Sequence, residues 1–265
     1  MKLGIGSYTF TWRVGVPGQT PPVSPLSAEG LIGEASSLGV DVVQLCDNIP
    51  LEALPEETLA RLAARARGAG ILLETGTRGT DPAHLRRFIA ITRALGARLV
   101  RTMITGEIAE AERDLRQVLG DLGHSGIVCA IENYERHPVR DLAAMIRRIG
   151  SPFVGACLDT VNSFGAMETP QEALDALLPL TVSVHVKDFD IVRADHRMGF
   201  AIIGTPAGKG RLEIPRLIES ARANGRDPNA ILELWTPFAG TVESTIAREK
   251  EWAAESVALL RRYVQ

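Results

Sequence analysis

Cysteine is scarce in this chain: Cys46, Cys129 and Cys157 are odd in number and form no C-x-x-C pair. That excludes a disulfide scaffold and a thiolate zinc knuckle, and reduced, buried thiols in a cytoplasmic protein are the expectation. Nor is there a basic excess, since 29 Lys and Arg stand against 32 Asp and Glu. A net charge of −3 argues against a nucleic-acid binder. No apolar run is long enough to cross a membrane, and MKLGIGSYTF is too short in apolar residues for a signal peptide. Lysine is rarer than arginine: only Lys2, Lys187, Lys209 and Lys250 occur, so a lysine near a functional cluster stands out.

What is present is a regular alternation. Strands are expected at Lys2–Ser7, Asp41–Cys46, Ile71–Glu74, Arg98–Met103, Ile127–Glu132, Val154–Asp159, Thr181–Lys187 and Ala230–Leu234. Helical periodicity fills the intervals at Glu56–Ala69, Pro82–Leu95, Glu110–Leu122, Asp141–Ile149 and Pro170–Leu178, and Glu243–Tyr263 reads as a last helix. Asp81-Pro82 and Thr169-Pro170 pair a cap with a first-turn proline. Eight strand–helix units in 265 residues predict an α/β protein of the (β/α)8 TIM-barrel class, with residues 1–265 as one domain. Two long connections follow strands, and so fall on the catalytic face of such a barrel: Val16–Pro25, and Asp188–Glu213, which predicts a lid.

Four strand ends carry chemistry. IVCAIE, FVGACLD, TVSVH and AILE end at Glu132, Asp159, His185 and Glu233, the first three spaced by 27 and 26 residues. Three carboxylates and an imidazole around one barrel mouth suit Mn²⁺, and after it Co²⁺ or Mg²⁺, better than structural zinc. Lys187, two residues beyond His185, points to the same side of its strand and offers an ammonium near the metal; the alternative is a pair with a neighbouring carboxylate. Glu74 and Arg101 are expected to pair with each other, with substrate hydroxyls as the alternative. Trp235 is expected to line the pocket, and Tyr8, Phe10 and Trp12 to stack on a sugar or pack in the core; Asn133 could orient Glu132, as could His137, for which simple solvent exposure in the loop before Pro138 is the expectation. Gly76-Thr77-Arg78-Gly79 fits an anion cradle or a tight turn equally, while GTPAGKGR lacks the spacing of a phosphate loop.

The runs AIENYERH, ACLDTVN, VSVHVKDF and ILELW, with Gly208-Lys209-Gly210 before Arg211-Leu212-Glu213, resemble the xylose isomerase-like superfamily of sugar isomerases and epimerases. The resemblance implies one divalent metal on Glu132, Asp159, His185 and Glu233, with Glu132 and Glu233 as the opposed proton-transfer pair. It implies a carbohydrate substrate and no nucleic-acid or membrane partner, and leaves a homo-oligomer open. The chain departs from the sugar 3-epimerase pattern at Asn162, where a His often stands, and at Ile191, where an Arg often stands, with Arg193 and Arg197 nearby. Asn162 can bond a sugar hydroxyl but cannot carry a proton, and Arg193 and Arg101 are further substrate-binding candidates. The first expectation is an isomerase or epimerase of a keto-sugar or sugar phosphate, working through an enediolate. The alternative is a lyase, either a dehydratase of a keto-inositol or a decarboxylase of a 3-keto sugar acid. Endonuclease IV shares the barrel, but its histidine-rich three-zinc cluster does not fit a chain with five histidines.

Overall fold

The computed structural model describes residues 1–194 and 198–264. Among them, eight parallel strands close into a barrel: β1 (Leu3–Gly6), β2 (Val42–Leu45), β3 (Leu72–Gly76), β4 (Leu99–Met103), β5 (Val128–Glu132), β6 (Val154–Asp159), β7 (Thr181–Val186) and β10 (Asn229–Leu232). β10 pairs with both β7 and β1, which completes the ring. All eight expected strands occur within a few residues of their sequence-derived limits.

The surrounding helices are α1 (Thr11–Val14), α2 (Ala28–Leu38), α3 (Glu56–Gly68), α4 (Pro82–Ala94), α5 (Ile108–Ser125), α6 (Val139–Ile149), α7 (Pro170–Leu177), α8 (Ile214–Ala223) and α9 (Val242–Leu260). Their ends obey the local chemistry. Asp81 accepts a hydrogen bond from the His84 amide at 2.9 Å at the start of α4, and Thr169 and Glu172 form a reciprocal box around the start of α7. Gly150 closes α6 with φ of 62°, a left-handed turn that a side chain would strain. Each longer helix lays an apolar stripe on the outer face of the strands; Leu31, Leu62, Leu85, Leu115, Ile146 and Ile218 belong to one continuous buried layer.

The connection after β7 is not an irregular loop. β8 (Asp188–Arg193) and β9 (Phe200–Thr205) form an antiparallel hairpin outside the barrel, in register Ile191↔Ile202 and Arg193↔Phe200. Asp188 anchors its base: Oδ2 accepts from the Gly208 and Gly210 amides, and Oδ1 from those of Phe189 and Leu212. The Gly208 and Gly210 amides are thereby committed to a carboxylate of the chain itself, and the Lys209 amide to the Pro206 carbonyl, which is why this element is not a phosphate loop. A Cβ on Gly210 would lie 2.2 Å from the Phe189 carbonyl oxygen, so only glycine fits there.

Candidate active site

The parallel register carries the four strand-end residues to one place. Asp159 and His185 are direct partners across β6 and β7, after a register shift at Ala156/Cys157. Glu132 is the last residue of β5, and Glu233 directly follows β10. All four are buried. His185 Nδ1 lies 3.4 Å from Glu132 Oε1, 3.7 Å from Asp159 Oδ2 and 3.4 Å from Glu233 Oε1. His185 Nδ1 and Glu233 Oε1 are buried without a hydrogen-bond partner, and Asp159 Oδ2 and Glu132 Oε2 have only the ion-pair contacts of Lys187 and Arg101. Burying polar atoms in that state costs free energy unless a further group joins them. Asp159, His185 and Glu233 present ligand atoms within 4.8 Å of one another, the spread of a single ion's coordination sphere. Donor type, burial and convergence fit a divalent cation held by oxygen and nitrogen. Cys157 also neighbours Glu132 and His185, and burial pushes its thiol up.

Around this group the sequence-derived candidates separate. Lys187 Nζ sits 2.8 Å from both Asp159 Oδ2 and Glu233 Oε2, so the neighbouring-carboxylate reading of this lysine describes it. Burial alone would lower its affinity for a proton; Asp159, then Glu233, reverse that and hold it as an ammonium. Asn162 donates to Glu132 Oε1 at 2.8 Å. Arg101 does not pair with Glu74. In the β3–β4 register Arg101 stands beside Gly76, so Glu74 lies one strand repeat further down the barrel. Arg101 instead reaches across the mouth. Its Nε is 2.8 Å from Glu132 Oε2, a contact between charges that leaves this oxygen without an aligned donor. Its Nη1 meets Asp47 Oδ1 at 3.2 Å and the Thr77 carbonyl at 3.0 Å. Burial would raise the Glu132 carboxyl, but Arg101 and then His185 hold it below its ordinary value.

Above the cluster opens a cavity of 430 Å³ lined by Tyr8, Arg78, Tyr134, Phe164 and Trp235, with Lys187, Arg101 and Asn162 in its floor and walls. Trp235 thus takes its expected place, and among the three early aromatics only Tyr8 lines the cavity. Phe10 is buried in the core, and Trp12 stacks on Phe238 with ring centroids 5.3 Å apart. Arg193 stands apart, exposed on the hairpin and stacked over the Phe200 ring at 4.7 Å; it does not line the cavity. Arg197 lies outside the described residues. Asn133 grips the Asp159 backbone on both sides, through its N–H at 2.8 Å and its carbonyl at 2.9 Å, so it positions Asp159 and not Glu132. His137 meets the Gly106 carbonyl at 3.0 Å, away from the cluster. Sequence reading missed Gln44 and Asp47, which touch His185 and Arg101. Their only signal was position, at or just beyond the end of the second strand.

The barrel and its ring of strand-end carboxylates and histidine point to a family. The pattern of the xylose isomerase-like TIM barrel family matches residues 32–263, and the chain belongs to that family. Among its relatives, the 3-oxo-isoapionate decarboxylase of Pectobacterium atrosepticum is 34% identical over 265 residues, covering 98% of this chain and 95% of the relative. Among solved structures, a D-psicose 3-epimerase crystallised in the presence of D-fructose matches 100% of this chain and 99% of its own, with a TM-score of 0.74 and 17% identity. A xylose isomerase-like protein from Mycobacterium smegmatis in complex with magnesium matches 98% of this chain and 97% of its own, with a TM-score of 0.70 and 16% identity. At such identities the two structures establish the fold alone. The family contains epimerases, isomerases and a decarboxylase, so family membership by itself leaves the reaction open.

Proposed function

We propose that this protein is a metal-dependent decarboxylase of a 3-oxo sugar acid, with Mn²⁺ as the preferred ion on Glu132, Asp159, His185 and Glu233. The observation that carries the choice of reaction is the state of Glu132. Epimerisation needs a carboxylate free to remove a weakly acidic C–H proton. Glu132 is instead clamped between the Arg101 guanidinium and the Asn162 amide, and held as a poor base. Loss of CO₂ from a 3-oxo acid requires no such base. The 34% identity to a 3-oxo-acid decarboxylase over nearly the whole chain supports the same reading.

A divalent ion in this site supplies Lewis-acid stabilisation for negative charge on a ketone oxygen. The chain's own residues do the rest. The bond between the carboxylate carbon and C2 breaks, its electron pair enters the C2–C3–oxygen system, and CO₂ leaves. C2 then takes a proton. Glu233 borders the cavity and relays to C2 a proton from the Lys187 ammonium, which lies 2.8 Å from its Oε2, and solvent entering from the cavity side returns the proton to Lys187. Arg101 and Asn162 keep Glu132 anionic, as a ligand and not as a base. Tyr8 and Trp235 wall the cavity and exclude water from the reacting carbon.

The test is turnover of Mn²⁺-loaded protein with 3-oxo sugar acids and neutral keto-sugars in heavy water. The expected result is one CO₂ and one C2-bound deuterium per acid consumed, lost on chelation and restored by Mn²⁺. Glu233→Gln should slow it by about 10²–10⁴-fold. A keto-sugar product inverted and deuterated at the carbon next to its ketone, with no CO₂ from any acid, would replace this reading by epimerisation.

A further inference from the structure

We infer that Glu74 and Gln44 are positioning residues that decide which nitrogen of His185 is offered to the metal. This rests on the metal site of the preceding section and not on the choice of reaction. The four side chains involved come from four different strands: His185 from β7, Gln44 from β2, Glu74 from β3 and Asn229 from β10. They form a continuous line through the barrel interior. His185 Nε2 meets Gln44 Oε1 at 2.8 Å, Gln44 Nε2 donates to Glu74 Oε2 at 3.0 Å, and Asn229 Nδ2 donates to Glu74 Oε1 at 2.8 Å. The Lys2 amide donates to Asn229 Oδ1 at 3.3 Å and ends the line.

The direction of every bond follows from the one carboxylate in it. Both Glu74 oxygens accept from amide NH₂ groups, so the Gln44 amide turns its NH₂ group toward Glu74 and its oxygen toward His185. That oxygen accepts only, and the imidazole must therefore meet it with Nε2–H. The unprotonated nitrogen of a neutral His185 is then Nδ1, the atom facing Glu132, Asp159 and Glu233 at 3.4–3.7 Å. Asn229 is oriented the same way, since its oxygen is taken by the Lys2 amide. Glu74 and Gln44 are themselves buried, so water does not compete for these bonds. A fixed ring orientation and tautomer raise the fraction of protein that binds metal without rearrangement.

The test is binding of Mn²⁺ alone, with no substrate, to the full chain and to Gln44→Met and Glu74→Gln. Thermal unfolding of the metal-free proteins checks that each is folded. Loss of the oriented acceptor should weaken Mn²⁺ binding by about 10–100-fold in both variants. The hydrogen bond that Asn229 donates to Glu74 is kept in Gln44→Met, so a similar loss there separates His185 orientation from the lower part of the line. In the diamagnetic Mg²⁺-loaded wild type, ¹⁵N spectra should show the His185 proton on Nε2. Affinity within twofold of wild type in both variants, or a proton on Nδ1, overturns the inference. Should either variant fail to fold, the wild-type spectrum and the other variant decide it. Because no turnover is measured, failure here leaves the decarboxylase reading standing, and failure of that reading leaves this one.

Discussion

The two sides of the barrel wall are built on opposite physical terms. Outside, between strands and helices, lies an almost wholly apolar layer in which Leu31, Ile32, Leu59, Leu85, Leu115 and Val118 interlock. Inside, the side chains include Gln44, Glu74, Arg101, Glu132, Asp159, His185, Lys187 and Glu233, all less than 9% exposed, beside the apolar Val42 and Ile231. The apolar cluster formed by Leu99, Ala130 and Cys157 is small by comparison. Barrels of this kind commonly fill the interior with branched aliphatic residues. Here the outer layer supplies the stability, at about 25 cal/mol per Å² of apolar surface removed from water. The interior contributes function at a cost in desolvation, which its charges offset only by pairing with one another.

The comparison breaks most visibly if one interior charge is removed. Arg101→Ala would leave Glu132 and Asp47 without their buried cation. We expect a loss of about 3–5 kcal/mol in unfolding free energy, read from denaturant midpoints, together with loss of turnover. A loss below about 1 kcal/mol would show that the interior charges are not mutually dependent. In the outer layer, Leu31→Ala should cost about 3 kcal/mol by the same measurement, through lost transfer energy and a residual cavity, while Mn²⁺ binding stays at the wild-type value. A change in metal affinity in that variant would mean that the two sides are coupled.

One acid intrudes on the apolar side. Glu249 of α9 is buried and accepts the backbone N–H groups of Trp12 at 2.8 Å and Arg13 at 3.1 Å. Burial, opposed by those two bonds and by the Arg13 charge, pushes its carboxyl up from 4.5 to about 7. An acid raised on folding contributes stability that is complete below its unfolded value and is lost as pH rises through its folded value. Wild type minus Glu249→Gln should therefore show a stability difference that falls by on the order of 2 kcal/mol between about pH 4.5 and pH 7.5. The subtraction removes every other titrating group, and a flat difference would place Glu249 in ordinary solvent. The smallest effect is expected on the hairpin, which belongs to neither side. Phe200 is 68% exposed, so Phe200→Ser should change unfolding free energy by no more than about 0.5 kcal/mol. A larger loss would show that the hairpin packs on the barrel more tightly than its exposure indicates.

Much of this contrast is written in local sequence. The strand-end positions of Glu132, Asp159, His185 and Glu233 follow from apolar runs and their spacing, and parallel register then brings such ends together. The caps at Asp81 and Thr169 are equally local, because their partners lie three residues away. The expected pairing of Glu74 with Arg101 failed for a reason that spacing does not contain. Both lie on adjacent strands, but their heights in the barrel differ, and height is fixed by register. The long segment after β7 showed its length and glycines, yet its pairing as a hairpin and the gathering of the Gly208, Gly210 and Leu212 amides by Asp188, across 20 to 24 residues, depend on contacts that no single run encodes.

By itself, then, the sequence determined the alternation of strands and helices, the strand-end positions of the four acidic and histidine side chains and the family they belong to, since each depends on periodicity or on residues at the end of a single run. Only the tertiary structure decided what those side chains are bonded to. Gln44 meets His185 across 141 residues of chain, Asn229 meets Glu74 across 155, and Arg101 leaves its sequence neighbours for Asp47 and Glu132. Closing the barrel sets these partnerships, because joining β10 to β1 places side chains from its opposite walls within hydrogen-bond reach, and no local pattern encodes that distance.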